Sequence, residues 1–147
     1  MKMSAEHFPE SEVVERLQAF FAAMGQWEAN CKKVFRSVRL GELEHEAGKS
    51  QCVNSLKDLF RAFCTTWESP ARARYGIKFS TIPTYGVDLE TVLSVEIAGS
   101  NATVITQQSV GPKDRLVYRL SRDGNQWRIV DNRKRIESDN KQVDWDL

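Results

Sequence analysis

The stretch Asp114–Arg135, DRLVYRLSRDGNQWRIVDNRKR, constrains the fold more than any other, because it reads as a two-stranded ribbon with one apolar side. Asp123-Gly124 supplies the positive φ angles that a tight primed turn needs. With that pair as a two-residue loop, Leu120 faces Trp127, Tyr118 faces Ile129 and Leu116 faces Asp131. All lie on one side, since side chains alternate along a strand. The other side carries Arg115, Val117, Arg119, Arg128, Val130 and Asn132, with Arg119 opposite Arg128. A three-residue loop would mix the two sets. The ribbon therefore needs an apolar layer to lie on.

The upstream chain offers that layer. Val13, Leu17, Phe20, Phe21, Met24, Trp27, Cys31, Val34, Phe35 and Val38 recur at helical spacing. They predict one amphipathic helix of about 26 residues, N-capped by Ser11. Gly25 in its middle costs about 1 kcal/mol relative to Ala, and suits a bend or a close approach. The acidic segment Arg39–Lys49 reads as a connector. Cys52, Leu56, Leu59, Phe60, Phe63, Cys64 and Trp67 then draw a second helix, closed by Ser69-Pro70.

After Gly76 the apolar period falls from 3.6 to 2. Ile77–Tyr85 reads as a strand that Pro83 confines to an edge, an end or a bulge. Leu89, Thr91, Leu93, Val95 and Ile97 alternate with Val92, Ser94 and Glu96. A Gly99-Ser100-Asn101 turn leads to Ala102, Val104 and Thr106, alternating with Thr103, Ile105 and Gln107. Helices first and then four or five antiparallel strands define an α+β fold in which one sheet cradles the helices. Phe20, Phe21, Phe60, Phe63, Leu116 and Ile129 should share the core. Residues 1–10 are expected to fray, 11–137 to form a single domain, and 138–147 an acidic tail.

With 147 residues and a net charge of +1, the chain can bury a proper core but has no bulk charge to drive nucleic-acid binding. The charge is uneven, with basic residues dominating from Lys113 to Arg135 and acidic ones beyond. The segment MKMSAEHFPESE has no apolar run, so no secretory signal is expected; nor is a membrane span, and a cytoplasmic location is. Cys31, Cys52 and Cys64 are odd in number and lack CxxC spacing, which argues against a disulfide framework and a zinc site. They fall on apolar helical faces and read as small hydrophobes.

No catalytic motif emerges. His45 among Glu42, Glu44 and Glu46 has no second ligand spaced to hold a metal, and neither histidine lies in the sheet half. No cofactor fingerprint is present. Asp131 stands out, because a carboxylate on the apolar side must be paired or titrate abnormally. It is either a pocket acid or base, or the partner of Arg133 on the same face. Trp27, Trp67, Tyr85, Tyr118 and Trp127, with Asp131, could line a pocket or simply fill the core. Arg115, Arg119, Arg128 and Arg133 offer a basic face to an anionic partner.

The order of elements resembles the nuclear transport factor 2-like superfamily, cone-shaped α+β domains (cystatin-like in outline) with N-terminal helices packed into a strongly curved antiparallel sheet. The resemblance covers Ser11 to Ile136. Its most suggestive piece is VYRLSRDGNQWRIVDNR, Val117–Arg133, similar to the closing hairpin of many members. Within the superfamily the chain looks most like the immunity proteins of bacterial polymorphic toxin systems. That resemblance implies a cytoplasmic, non-enzymatic toxin–antitoxin partner that neutralises a cognate toxin by binding it. A homodimer stays open. The alternative it implies is a ligand-binding or isomerase- or dehydratase-like enzyme, with Asp131 and Tyr118 in the cone pocket.

Overall fold

The computed structural model describes residues 9–65, 85–109, 113–130, 133–137 and 139–145. Helix α1 spans Glu10–Arg39, 30 residues. It starts one residue before the expected Ser11 cap, with Pro9 in extended geometry accepting a bond from Glu12 N. Glu10 and Glu12 in the first turn and Arg36 and Arg39 in the last complement the macrodipole. At its end Glu42 N reaches Ser37 O and Gly41 N reaches Val38 O. This Schellman closure needs a left-handed residue, and Gly41 supplies it at φ 75°. Helix α2, His45–Phe63, begins inside the segment read as a connector.

The two helices form a hairpin whose facing stripes meet closely. A Cβ on Gly48 would lie 2.8 Å from Val38 Cγ2 and 3.2 Å from Val34 Cγ1. Cys31 and Cys52 meet across the same seam with Cα atoms 5.8 Å apart and are joined as a disulfide. This corrects the expectation of three free thiols. Sequence spacing carries no record of two helical faces brought into disulfide reach by a turn. Cys64 remains free and buried.

Helix α2 stops at Phe63 rather than near Trp67. Cys64 turns extended, forms a parallel bridge with Ile129, and Thr65 N donates to Ile129 O at 2.9 Å. The backbone exchanges helix bonds for sheet-like ones. Trp67 and the expected strand residues 77–84 lie outside the described residues, as does Asp131.

Six antiparallel strands follow a 3-10 turn at Val87–Leu89: β1 Glu90–Ala98, β2 Asn101–Gln108, β3 Arg115–Asp123, β4 Gln126–Ile129, β5 Arg133–Ile136 and β6 Gln142–Trp145. The order is β1-β2-β3-β5-β6, and β4 pairs with the second half of β3. The sheet thus exceeds the four or five strands expected. It also takes in part of the acidic tail, since β6 pairs with β5.

Two local features differ from the sequence reading. The hairpin loop is Gly124-Asn125, closed by Asp123 and Gln126, with Gly124 at φ 60° as the only left-handed residue of the pair. That is the pattern of a type II′ turn. Leu120 therefore faces Ile129, Arg122 faces Trp127, and Leu116 faces Arg135 on β5. The slip is two residues, so every side chain keeps its expected face. In β1 a bulge between Val92 and Ser94 resets the alternation. Glu90, Val92, Val95 and Ile97 are the more buried positions, while Leu93 is turned out at 49% exposure.

The core lies between helices and sheet. Val13, Leu17, Phe20, Phe21 and Met24 of α1 and Leu56 and Phe60 of α2 are buried with Val104, Leu116, Tyr118, Leu120, Trp127 and Ile129. Of the six expected core residues, five are buried and Phe63 is half-buried at its margin. Phe20 and Phe21 meet Phe63 and Tyr118 edge-on, at 5.7 and 5.5 Å between centroids. Gly25 allows this layer to close, because a Cβ there would sit 2.8 Å from Tyr85 O.

Candidate partner-binding face and inner polar cluster

The outer face of the sheet is set by the register. Across it run Glu96, Thr103 and Arg119; then Ser94, Ile105, Val117 and Lys134; then Thr91, Gln107, Arg115, Ile136 and Gln142. In the middle row Ile105 is half-buried and Val117 is buried, while Arg115 and Arg119 on either side are exposed. Leu93 adds an exposed apolar side chain at the bulge beside it. Arg115 is steadied by Gln107 Oε1 at 3.3 Å. This apolar centre with arginine at its margin is the composition that binding faces favour.

The other two arginines of the predicted basic face serve different ends. Arg128 faces Ser121, so the expected opposition to Arg119 does not occur; Arg119 faces Thr103 on β2. Arg128 is half-buried. It donates to Asp123 Oδ2 at 3.0 Å, to Arg61 O at 2.7 Å and to Cys64 O at 3.4 Å. From the other side Arg16 donates to Ala62 O and to Trp127 O. Together they satisfy the carbonyls that the end of α2 leaves open and tie it to the hairpin. Arg122 ties the hairpin instead to the start of α1, through Glu12 at 3.0 Å.

Arg133 points inward. It is 6% exposed, donates to Tyr118 Oη at 2.9 Å and lies 5.0 Å over the Tyr85 ring. Burial opposes its charge, but Tyr85, Tyr118 and the Glu90 carboxylate outweigh that and raise its pKa. Burial also pushes the Tyr118 phenol well above its ordinary range, and Arg133 offsets this only in part. Nearby, Thr106 Oγ1 donates to Glu90 Oε2 at 2.5 Å, and Tyr85 N donates to Glu28 Oε1 at 3.1 Å.

This inner cluster unites two predicted pocket residues, Tyr85 and Tyr118, with Arg133. It adds Glu28, Glu90 and Thr106, which the sequence reading missed. Glu90 was hidden by the bulge, whose phase change no residue type announces. Chemically the cluster is a set of buried polar groups around the Arg133 cation, and a phenol with a raised pKa stays protonated. Trp27 and Trp127 are buried away from it. Trp27 Nε1 donates to Cys52 O at 3.0 Å between the helices, and Trp127 lies under Arg122. Among the described residues no helix is long and apolar enough to cross a membrane.

Two helices against one face of a six-stranded antiparallel sheet define an α+β domain of the nuclear transport factor 2-like type. The family described as NTF2 fold immunity protein matches residues 12–145, and the chain belongs to it. That membership supports a toxin-neutralising role in general. No curated protein and no solved structure shows significant similarity to the chain.

Proposed function

We propose that the protein is a non-enzymatic immunity protein that neutralises one cognate bacterial toxin by direct binding in the cytoplasm. The family match supports the role, and the outer sheet face supports the manner. The observation that carries it is the exposed pair Arg115 and Arg119 on β3, flanking half-buried Ile105 and buried Val117, with Leu93 turned out on β1. Arginine at the edge of an apolar patch steers an acidic partner and excludes others. The inner cluster, by contrast, binds Arg133 into the core, so Arg133 is not part of the docking set.

Co-expression of this chain with any toxin encoded beside its gene is the test. Wild type should rescue growth. Arg115→Glu with Arg119→Glu should abolish rescue and toxin binding while the melting temperature stays within about 2 °C, because both side chains are exposed. Retained binding in that double variant rules out this face.

A further inference from the structure

We propose that Cys31–Cys52 is a reversible redox site, which a dithiol reductant opens in the folded protein and whose opening loosens α2 against α1. Both cysteines line a groove of about 750 Å³ between the helices, walled by Trp27, Asn30, Val34, Asn54 and Leu59. Each cysteine is almost wholly buried, at 2% and 1% exposure, so a reductant reaches the sulfurs only by way of this groove. It is also mechanically placed, since the seam beside it is the Gly48 contact with Val34 and Val38. The Trp27 indole, in the wall of the same groove, donates to Cys52 O.

A thiolate of the dithiol attacks one Sγ, the S–S bond breaks, and the departing cysteine thiolate takes up a proton. The second thiol of the reductant then closes on the mixed disulfide and expels the other cysteine. The protein gains two electrons and two protons, and the reductant leaves as its own disulfide. The two sulfurs must then retreat to van der Waals distance in a seam that is already tight. Either they turn into the groove or α2 shifts. A shift of α2 loosens its last carbonyls, which Arg16 and Arg128 bind to the hairpin. Where disulfides occur in a reducing compartment they tend to be redox-sensing rather than structural.

The test uses the full-length chain purified without reductant and exposed to millimolar dithiothreitol in native buffer. The expected result is two new titratable thiols without unfolding, a melting temperature lowered by several degrees and faster hydrogen exchange in α2. Trp27 should report the change as a shift in tryptophan emission. Cys31→Ser with Cys52→Ser should lose the response and melt like the reduced protein, whereas Cys64→Ser should keep it. The proposal is overturned if the thiols appear only in denaturant, or if reduction leaves both the melting temperature and the exchange of α2 unchanged.

Discussion

Replacing Arg133 by Met should be the most damaging single change in the sheet, and the structure fixes why. The guanidinium is 6% exposed, bonded to Tyr118 Oη at 2.9 Å, and close enough to Glu90 to have its pKa raised by that carboxylate. Methionine matches the length of the stem and fills most of the volume, so the cavity cost is small. What remains is Glu90, 5% exposed, with its charge supported by Thr106 but stripped of its buried cation. Glu90 acts on Arg133 through space rather than as a direct ion pair, so the loss should approach but not exceed the roughly 3–5 kcal/mol of breaking a buried pair on one side. Tyr118→Phe removes only the bond to the charge and should cost about 2 kcal/mol, since hydrogen bonds to charged groups contribute about 1.5–3. For a chain of this length those figures mean roughly 6–20 °C and 4–8 °C in Tm. Urea unfolding followed by circular dichroism measures both, with the slope against urea expected unchanged. Adding Glu90→Gln to Arg133→Met should recover part of the loss, because the orphaned charge is then gone. If Arg133→Met unfolds within about 0.5 kcal/mol of wild type, or the second change makes matters worse, the electrostatic account of the cluster is wrong.

Three further outcomes follow from single contacts. Burial pushes the Cys64 thiol from 9.0 up to about 12 against the pull of Arg128 and Arg16. The pKa is higher folded than unfolded, so its contribution is intact below pH 9 and is lost as pH rises from 9 towards 12; at pH 11 the loss is roughly 3 kcal/mol. Urea titrations from pH 8 to 11 should show Cys64→Ala losing less stability over that range than wild type, and equal slopes would refute the shift. Gly25→Ala gains about 1 kcal/mol of helix propensity but drives a Cβ to 2.8 Å from Tyr85 O, a backbone atom, and overpacking costs about 1–3. The clash should win, and a variant more stable than wild type in thermal melts would show that the 85–86 backbone yields freely. Arg128→Ala should lower stability by about 1–2 kcal/mol, since it frees the α2 carbonyls, and should leave toxin affinity little changed once folded protein is compared at equal concentration.

Much of the fold was legible because burial needs only periodicity. The ten apolar residues from Val13 to Val38 specify one helix face whatever its caps do; seven of them are buried and Val34 and Phe35 pack against the core. The caps themselves were misjudged. The extended Pro9 and the Schellman turn at Gly41 set the limits of α1 through backbone bonds that residue types only suggest. Helix α2 ended early for a non-local reason, the bonds from Cys64 and Thr65 to Ile129, more than sixty residues away in the chain. The Cys31–Cys52 bond was unreadable for the same reason. Two positions 21 apart meet only once the helical hairpin has formed.

The hairpin shows how a wrong register can still give right faces. Asp123-Gly124 is the commoner loop signal, yet Asp123 stays in the strand to pair with Gln126 and to hold Arg128 through its carboxylate. The slip is even, so Tyr118, Leu120, Trp127 and Ile129 remain inside and Arg115 and Arg119 outside. What an even slip destroys is the list of neighbours. Arg119 and Arg128 cease to be opposite, so no repulsion is relieved by replacing either one. Arg133 was placed by parity on the inner face with Asp131, and also counted among the docking arginines. Those two roles exclude each other, because a guanidinium buried against Tyr118 cannot reach a partner. Burial decides between them. Under the proposed function the docking set is therefore expected to narrow to the exposed pair on β3, Arg115 and Arg119, which the double charge reversal tests.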